Sequence, residues 1–266
     1  MRRAILSAAA AACLSSGALA GPVCTLLADG ATDKILLRDG AQCGAPTSPA
    51  STFKIPLALM GFDSGVLSDA HAPALPYKDD YRAARPAWRV TADPTLWLRD
   101  SVLWYSRELT RKLGAEKFRT YVDRFKYGNR DVSGNPGRND GLTNAWLSSS
   151  LKITPDAQID FLRKVWNRRL PVAASAYDKL LASMPHFPLA DGWMVYGKTG
   201  SGFERTPDGR WNRDRQFGWF VGWAMKGERV VLFARLIKDD RKEETPAGFR
   251  ARDGVLDELP GLLGKL

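Results

Sequence analysis

The chain has 266 residues, of which 44% are apolar, 10% aromatic and 26% charged, and its formal net charge is +10. This mix excludes an intrinsically disordered polymer and a string of independent domains, and leaves room for one substantial core or two lobes sharing one. Lys and Arg are interspersed with acids, as in 238–244, and no basic stripe alternates with aromatics, so nucleic acid is not an expected partner.

The N-terminus reads Met1-Arg2-Arg3, then an apolar stretch, then Gly17-Ala18-Leu19-Ala20. A basic start, a short apolar run and a small-x-small ending predict a secretory signal peptide over 1–20, and export to the periplasm. The run is short and alanine-rich for a bilayer span, so a retained anchor is the lesser alternative and no stable membrane span is expected after cleavage. Arg2 and Arg3 leave with it, and the remainder carries +8. Of three cysteines, Cys13 also leaves. Cys24 and Cys43 are then an even pair in an exported chain, and a disulfide between them is expected, against the alternative of two buried thiols.

Residues 23–28 and 34–38 pattern as strands joined by a turn at Asp29-Gly30. Ser48-Pro49 predicts a helix N-cap with proline at the first helical position. The apolar run 51–62 follows, and Pro56 within it predicts a tight turn around Ser51 with the helix resuming at Pro56. Helices are expected from Asp93-Pro94 to about Leu113, over 115–125, from Thr154-Pro155 to about Leu170, and over 175–184. After Asp191-Gly192 the period shifts to strands at 193–198, 217–225 and 229–237, and 247–263 closes the chain as a helix. The expected fold class is α+β: an antiparallel sheet built from both termini, flanked by helices, with an inserted helical lobe. A single domain over 21–266 is expected, with 21–60 and 187–266 as the sheet lobe and 61–186 as the mainly helical lobe. A cleft is expected where they meet.

The only histidines are His71 and His186, far apart in sequence. A histidine-rich zinc site and a Ser-His-Asp triad are therefore poorly supported, and no metal is expected. The segment Gly192-Trp193-Met194-Val195-Tyr196-Gly197-Lys198-Thr199 fits the phosphate-loop pattern letter for letter. Its interior is strand-forming, and turn residues follow its lysine where a helix should open, so nucleotide binding is not expected. Without histidine, a lysine can activate a serine. Ser51 and Lys54, three apart at a helix start, share one face near backbone amides that favour negative charge. Ser149 and Lys152 match the same Ser-x-x-Lys pattern, so the pattern alone does not choose between them.

Ser51-Thr52-Phe53-Lys54, Ser101-Val102-Leu103, Tyr127-Gly128-Asn129 and Lys198-Thr199-Gly200, in that order and spacing, resemble the penicillin-recognising serine enzymes, and within them the class D β-lactamases. The likeness extends to 141–150, 217–223 and Gly248-Phe249-Arg250. The resemblance implies a small-molecule β-lactam substrate and a Ser51 acyl-enzyme. It implies a carbamate on Lys54, formed with carbon dioxide or bicarbonate, as the base for acylation and deacylation. It places Leu103 and Trp146 around that carbamate and makes Ser101 a proton relay. Backbone N–H groups of Ser51 and Ser201 would form the oxyanion hole. Lys198, Thr199, Gly200 and Arg250 would bind substrate, and Tyr127, Gly128 and Asn129 would shape the site. Leu103 departs from the family pattern, which usually has valine there, and this bears on water access and turnover. The rival readings are a D,D-peptidase and a β-lactam sensor domain, both with slow deacylation. The sequence leaves monomer and dimer equally open.

Overall fold

The computed structural model describes residues 22–265; the expected signal segment lies outside them. Strands β1 (Pro22–Asp29) and β2 (Ile35–Asp39) form the first hairpin. A 3-10 turn, Ala50–Phe53, runs directly into α1 (Lys54–Asp63). The helical middle comprises α2 (Pro94–Asp100), α3 (Leu103–Leu113), α4 (Ala115–Phe125), α5 (Gly141–Asn144), α6 (Pro155–Trp166) and α7 (Ala174–Ser183). Then come β3 (His186–Pro188), β4 (Met194–Arg205), β5 (Trp211–Lys226), β6 (Arg229–Lys238) and the closing helix α8 (Ala247–Leu263). The fold is α+β, with one antiparallel sheet in the order β2-β1-β6-β5-β4-β3.

The central strands read as almost unbroken apolar runs because both faces of the sheet are covered. In β6, Val230, Leu232, Ala234 and Leu236 point to a large core shared with the helical middle. Val231, Phe233 and Ile237 point the other way, to a smaller core capped by Ala251, Val255 and Leu259 of α8. The period of two along the strand sorts one sequence into two cores. Arg235 lies on the α8 side, almost fully buried, and its guanidinium pairs with Glu258. The disulfide Cys24–Cys43 ties β1 to the segment after β2. Closing a loop of that size stabilises by about 3 kcal/mol in the chain-entropy account. Among the described residues, no helix is long and apolar enough to cross a membrane.

Several local expectations need correction. Ser48 is not the N-cap. Its hydroxyl donates to the Trp146 carbonyl and accepts from the Ser148 N–H, tying the start of the helix to a distant segment. The α-helix begins at Lys54, not Pro56. Pro56 falls in the first helical turn, where a missing N–H costs nothing because that donor has no intrahelical partner. The single helix expected from 94 to 113 is two, broken at Ser101, which adopts a left-handed conformation (φ 60°, ψ 33°). Strand β4 continues past Lys198 to Arg205, and β5 begins at Trp211. The Gly-Ser content of 200–202 reads as a turn, but pairing with 217–219 of β5 overrides it. The short elements β3 and α5 have no counterpart among the expected elements, and α6 ends before Leu170.

Candidate active site

The site is built where the Ala50–Phe53 turn meets the middle of β4. Ala50 takes a positive φ (51°), and the Pro49 carbonyl accepts from both the backbone N–H and the hydroxyl of Thr52. This turn presents Ser51 towards the sheet. A side chain at Gly200 of β4 would place its Cβ 2.8 Å from the Pro49 carbonyl oxygen and 3.2 Å from the Ser51 nitrogen. The absence of that Cβ lets strand backbone lie against the Ser51 amide.

Lys54, one helical turn on, is 1% exposed. Its Nζ lies 3.5 Å from Ser51 Oγ. Burial, and then the nearby Lys198 charge, hold its amine well below lysine's ordinary range. No carboxylate pairs with it among the described residues. Phe53, the residue before it, stacks on Trp146, with ring centroids 5.4 Å apart.

Lys198 is the second buried amine, also 1% exposed. It donates to Ser101 Oγ at 2.6 Å and to the carbonyl and hydroxyl of Thr199 at 3.2 and 3.3 Å. Burial brings its pKa down from 10.5 to about 7, with Asp100 opposing that shift. The hydrogen bond to Ser101 joins β4 to the break between α2 and α3. A straight helix through 101 would not present that hydroxyl from a left-handed bend, so the break is the device that delivers Ser101 to Lys198.

Ser201 is exposed at the cleft, and its hydroxyl accepts from the Gly248 N–H at 2.9 Å, which docks the start of α8 on β4. Arg250, one turn into α8, is already engaged. Its guanidinium donates to Asp239 Oδ2 at 2.5 Å and to the Thr245 carbonyl at 3.1 Å, and Asp239 is fully buried. Leu103 is partly buried and lines the cleft. Tyr127 is fully buried against Phe53 and Phe161. Gly128 (φ 54°) passes so close to the Lys152 carbonyl that a Cβ would sit 2.0 Å from its oxygen. Asn129 bonds the Ser150 carbonyl and the Lys152 N–H, so this triplet clamps 127–129 to 150–152.

The two Ser-x-x-Lys matches are thus physically unlike. Ser51 and Lys54 face each other across a helical turn. Ser149 and Lys152 lie outside any helix, and the buried Ser149 hydroxyl has no partner among the described residues. The cleft opens from Ala50, Leu103 and Ser201, encloses about 820 Å3, and is also walled by Arg107, Phe203 and Trp211. Sequence reasoning missed these three. Arg107 sits four residues beyond Leu103 on α3, and that helical spacing is the signal that would have found it.

Residues 23–259 match the family described as penicillin binding protein transpeptidase domain. The chain is 46% identical to β-lactamase OXA-9 of Klebsiella pneumoniae over 242 residues, covering 91% of this chain and 88% of that one. It is 40% identical to β-lactamase OXA-1 of Escherichia coli over 217 residues, covering 80% and 75%. The crystal structure of the class D β-lactamase OXA-427 superposes with a TM-score of 0.85 at 48% identity, covering 91% of this chain and 98% of that one. With a serine facing a buried, unpaired lysine and the remaining motifs gathered around them, the chain belongs to the class D serine β-lactamases.

Proposed function

We propose that this enzyme hydrolyses β-lactams through an acyl-enzyme on Ser51, with Lys54 as the seat of the general base. The observation that carries this reading is the Lys54 amine: buried, without a carboxylate partner, and 3.5 Å from Ser51 Oγ. An amine held below its ordinary range is neutral over more of the pH scale, and only a neutral amine adds to carbon dioxide. Trp146, stacked on Phe53 next in sequence to Lys54, supports this reading, since its indole N–H is a donor suited to such an anion. A carbamate there would supply, on Lys54, a carboxylate base for the Ser51 proton in acylation and, once that proton has passed on, for the deacylating water, whose attack returns Ser51 Oγ as the hydroxyl.

Ser51 Oγ bonds to the lactam carbonyl carbon, and the ring C–N bond breaks. The N–H groups of Ser51 and Ser201 receive the developing oxyanion, a contribution of about 3–4 kcal/mol per donor in related acyl transfers. The Lys198–Ser101 hydrogen bond carries a proton towards the departing lactam nitrogen. A lysine with a pKa near 7 both holds and releases that proton at neutral pH. Lys198, Thr199 and Arg250 bind the substrate carboxylate, with Arg250 held in orientation by Asp239. Export to the periplasm through residues 1–20 is part of the same reading. The signal pattern and the Cys24–Cys43 bridge support it.

The test is hydrolysis of a chromogenic cephalosporin by the mature protein, with and without bicarbonate. Turnover should rise with bicarbonate and vanish in Lys54→Ala. A stable acyl adduct without turnover in the wild type would overturn the reading in favour of a sensor or peptidase.

A further inference from the structure

A second cavity, of about 710 Å3, shares Ser148 with the catalytic cleft. It is bounded by the loop 131–138 and by the hairpin that joins β4 to β5. Besides Arg138, two cations, Lys152 and Arg205, line it. Neither is matched to a carboxylate. Arg205 gives its three hydrogen bonds to neutral oxygens: the Ser148 carbonyl at 2.8 Å, the Gly209 carbonyl at 2.6 Å and Asn135 Oδ1 at 2.5 Å. Two of its five N–H groups remain for another acceptor. Lys152 Nζ makes no ion pair among the described residues, and Ser149, with its unsatisfied buried hydroxyl, shares the same wall.

Two carboxylates also reach the cavity, and both are committed elsewhere. Asp131 accepts from the Ser133 N–H. Asp208 pairs with Arg210 and accepts from Thr206. Lys238, the next cation, has its own partner in Glu204 at 3.5 Å. Three cations thus face one cavity against two carboxylates, one of which is already paired with Arg210, and Lys152 and Arg205 keep unused donors. Such an arrangement favours an anion.

We propose that this cavity binds a small oxyanion of the phosphate or sulfate class, held by Lys152 and Arg205. Lys152 is half-buried, and it is held below lysine's ordinary range by burial and then by Arg205 and Lys238, a repulsion an anion would relieve. The site touches the catalytic cleft at two places. Ser148 lines both cavities. The Arg205 guanidinium lies 5.6 Å over the ring of Trp211, which walls the catalytic cleft. An anion on Arg205 would therefore sit next to the cleft wall without entering the cleft.

The test is titration of the mature protein with inorganic phosphate, and separately with sulfate, at constant ionic strength. Melting temperature and tryptophan fluorescence report binding. A saturable rise in melting temperature is expected with each anion. Losing one charge-assisted contact in Lys152→Gln should weaken it at least about tenfold. Hydrolysis by Lys152→Gln in anion-free buffer should stay within about twofold of wild type, since surface-side changes away from a site rarely cost more. Arg205→Gln should weaken binding too, but it removes three structural hydrogen bonds, so Lys152→Gln is the deciding variant. No saturable response in the wild type would overturn the proposal. So would an equal response in Lys152→Gln, including competitive inhibition that survives there, because that places the anion in the catalytic cleft.

Discussion

Lys54 and Lys198 are the same residue type at the same depth, each 1% exposed, and the protein treats them differently. Lys198 is surrounded by acceptors: Ser101, the Thr199 carbonyl and the Thr199 hydroxyl. Lys54 has one long contact, with Ser51. Burial lowers both amines. Only Lys198 keeps the hydrogen-bonding that lets it carry a proton near neutrality. Lys54 is left poor in partners, which costs stability and leaves a reactive amine. In the proposed mechanism the difference separates a proton conduit from a base, and substitutions at either lysine, or at what supports it, can break or sharpen that contrast.

The largest effect belongs to Lys54→Met, which keeps length and burial but removes the amine. Turnover of a chromogenic cephalosporin should fall by about 10³-fold or more, the range for loss of a general base. Melting temperature should hold or rise, because a buried amine without a partner is replaced by an apolar chain. A loss of activity accompanied by a large drop in melting temperature would assign Lys54 to structure instead.

Lys198→Met should cost about 10²-fold in kcat/KM, with kcat/KM losing the wild-type dependence on pH near 7. The stability consequence has a definite sign. A lysine lowered from 10.5 to about 7 in the folded state binds fewer protons than the unfolded chain between those values. Stability therefore rises with pH from about 7 towards 10.5, and is lowest below 7, where the buried amine is charged. Lys54 contributes in the same direction. Melting temperature recorded from pH 6 to 10 should climb in the wild type, and Lys198→Met should flatten the climb. An unchanged slope would show that Lys198 is not the titrating group.

Much of this site is legible in the sequence, and the illegible part has a physical cause. The closing helix 247–263 and the strand 229–237 announce themselves by period, since one or both faces are buried in an unbroken pattern. The residue types and order of Ser51, Lys54, Ser101 and Lys198 are readable too. What separates Ser51 from Ser149 is burial and local geometry, and neither is a property of a four-residue window. Ser101's left-handed bend has no glycine or proline to mark it. Its conformation is held by Lys198, 97 residues away. The continuation of β4 through Gly200 to Arg205 is hidden because glycine favours turns locally, while here its missing Cβ is needed for Ser51 to approach. Arg250's pairing with Asp239 and the cavity at Arg205 likewise join segments that no local pattern connects.

Asp239→Asn tests the support of the side proposed to bind the substrate carboxylate. It removes the charge that orients Arg250 but keeps the shape of a residue that is fully buried. KM should rise about tenfold, the worth of one charge-assisted hydrogen bond, with kcat little changed. A fall in kcat at constant KM would place Arg250 in the chemistry instead of in binding.

The smallest effect, and the finest test of the Lys54 side, is Leu103→Val. Leu103 opens α3 directly after the Ser101 bend and lines the cleft. Valine is one methylene shorter and β-branched, which narrows its χ1 choices as well as its reach. A fully buried methylene is worth about 0.8 kcal/mol, or about fourfold in rate. Leu103 is only partly buried, so a change of about twofold to fourfold is expected. If Leu103 screens the deacylating water from Lys54, kcat at saturating bicarbonate should rise in Leu103→Val while the acylation rate, read from single-turnover kinetics, stays constant. If the acylation rate moves and kcat does not, Leu103 instead touches substrate. Its departure from the family pattern then bears on which β-lactams enter, leaving the base on Lys54 untouched.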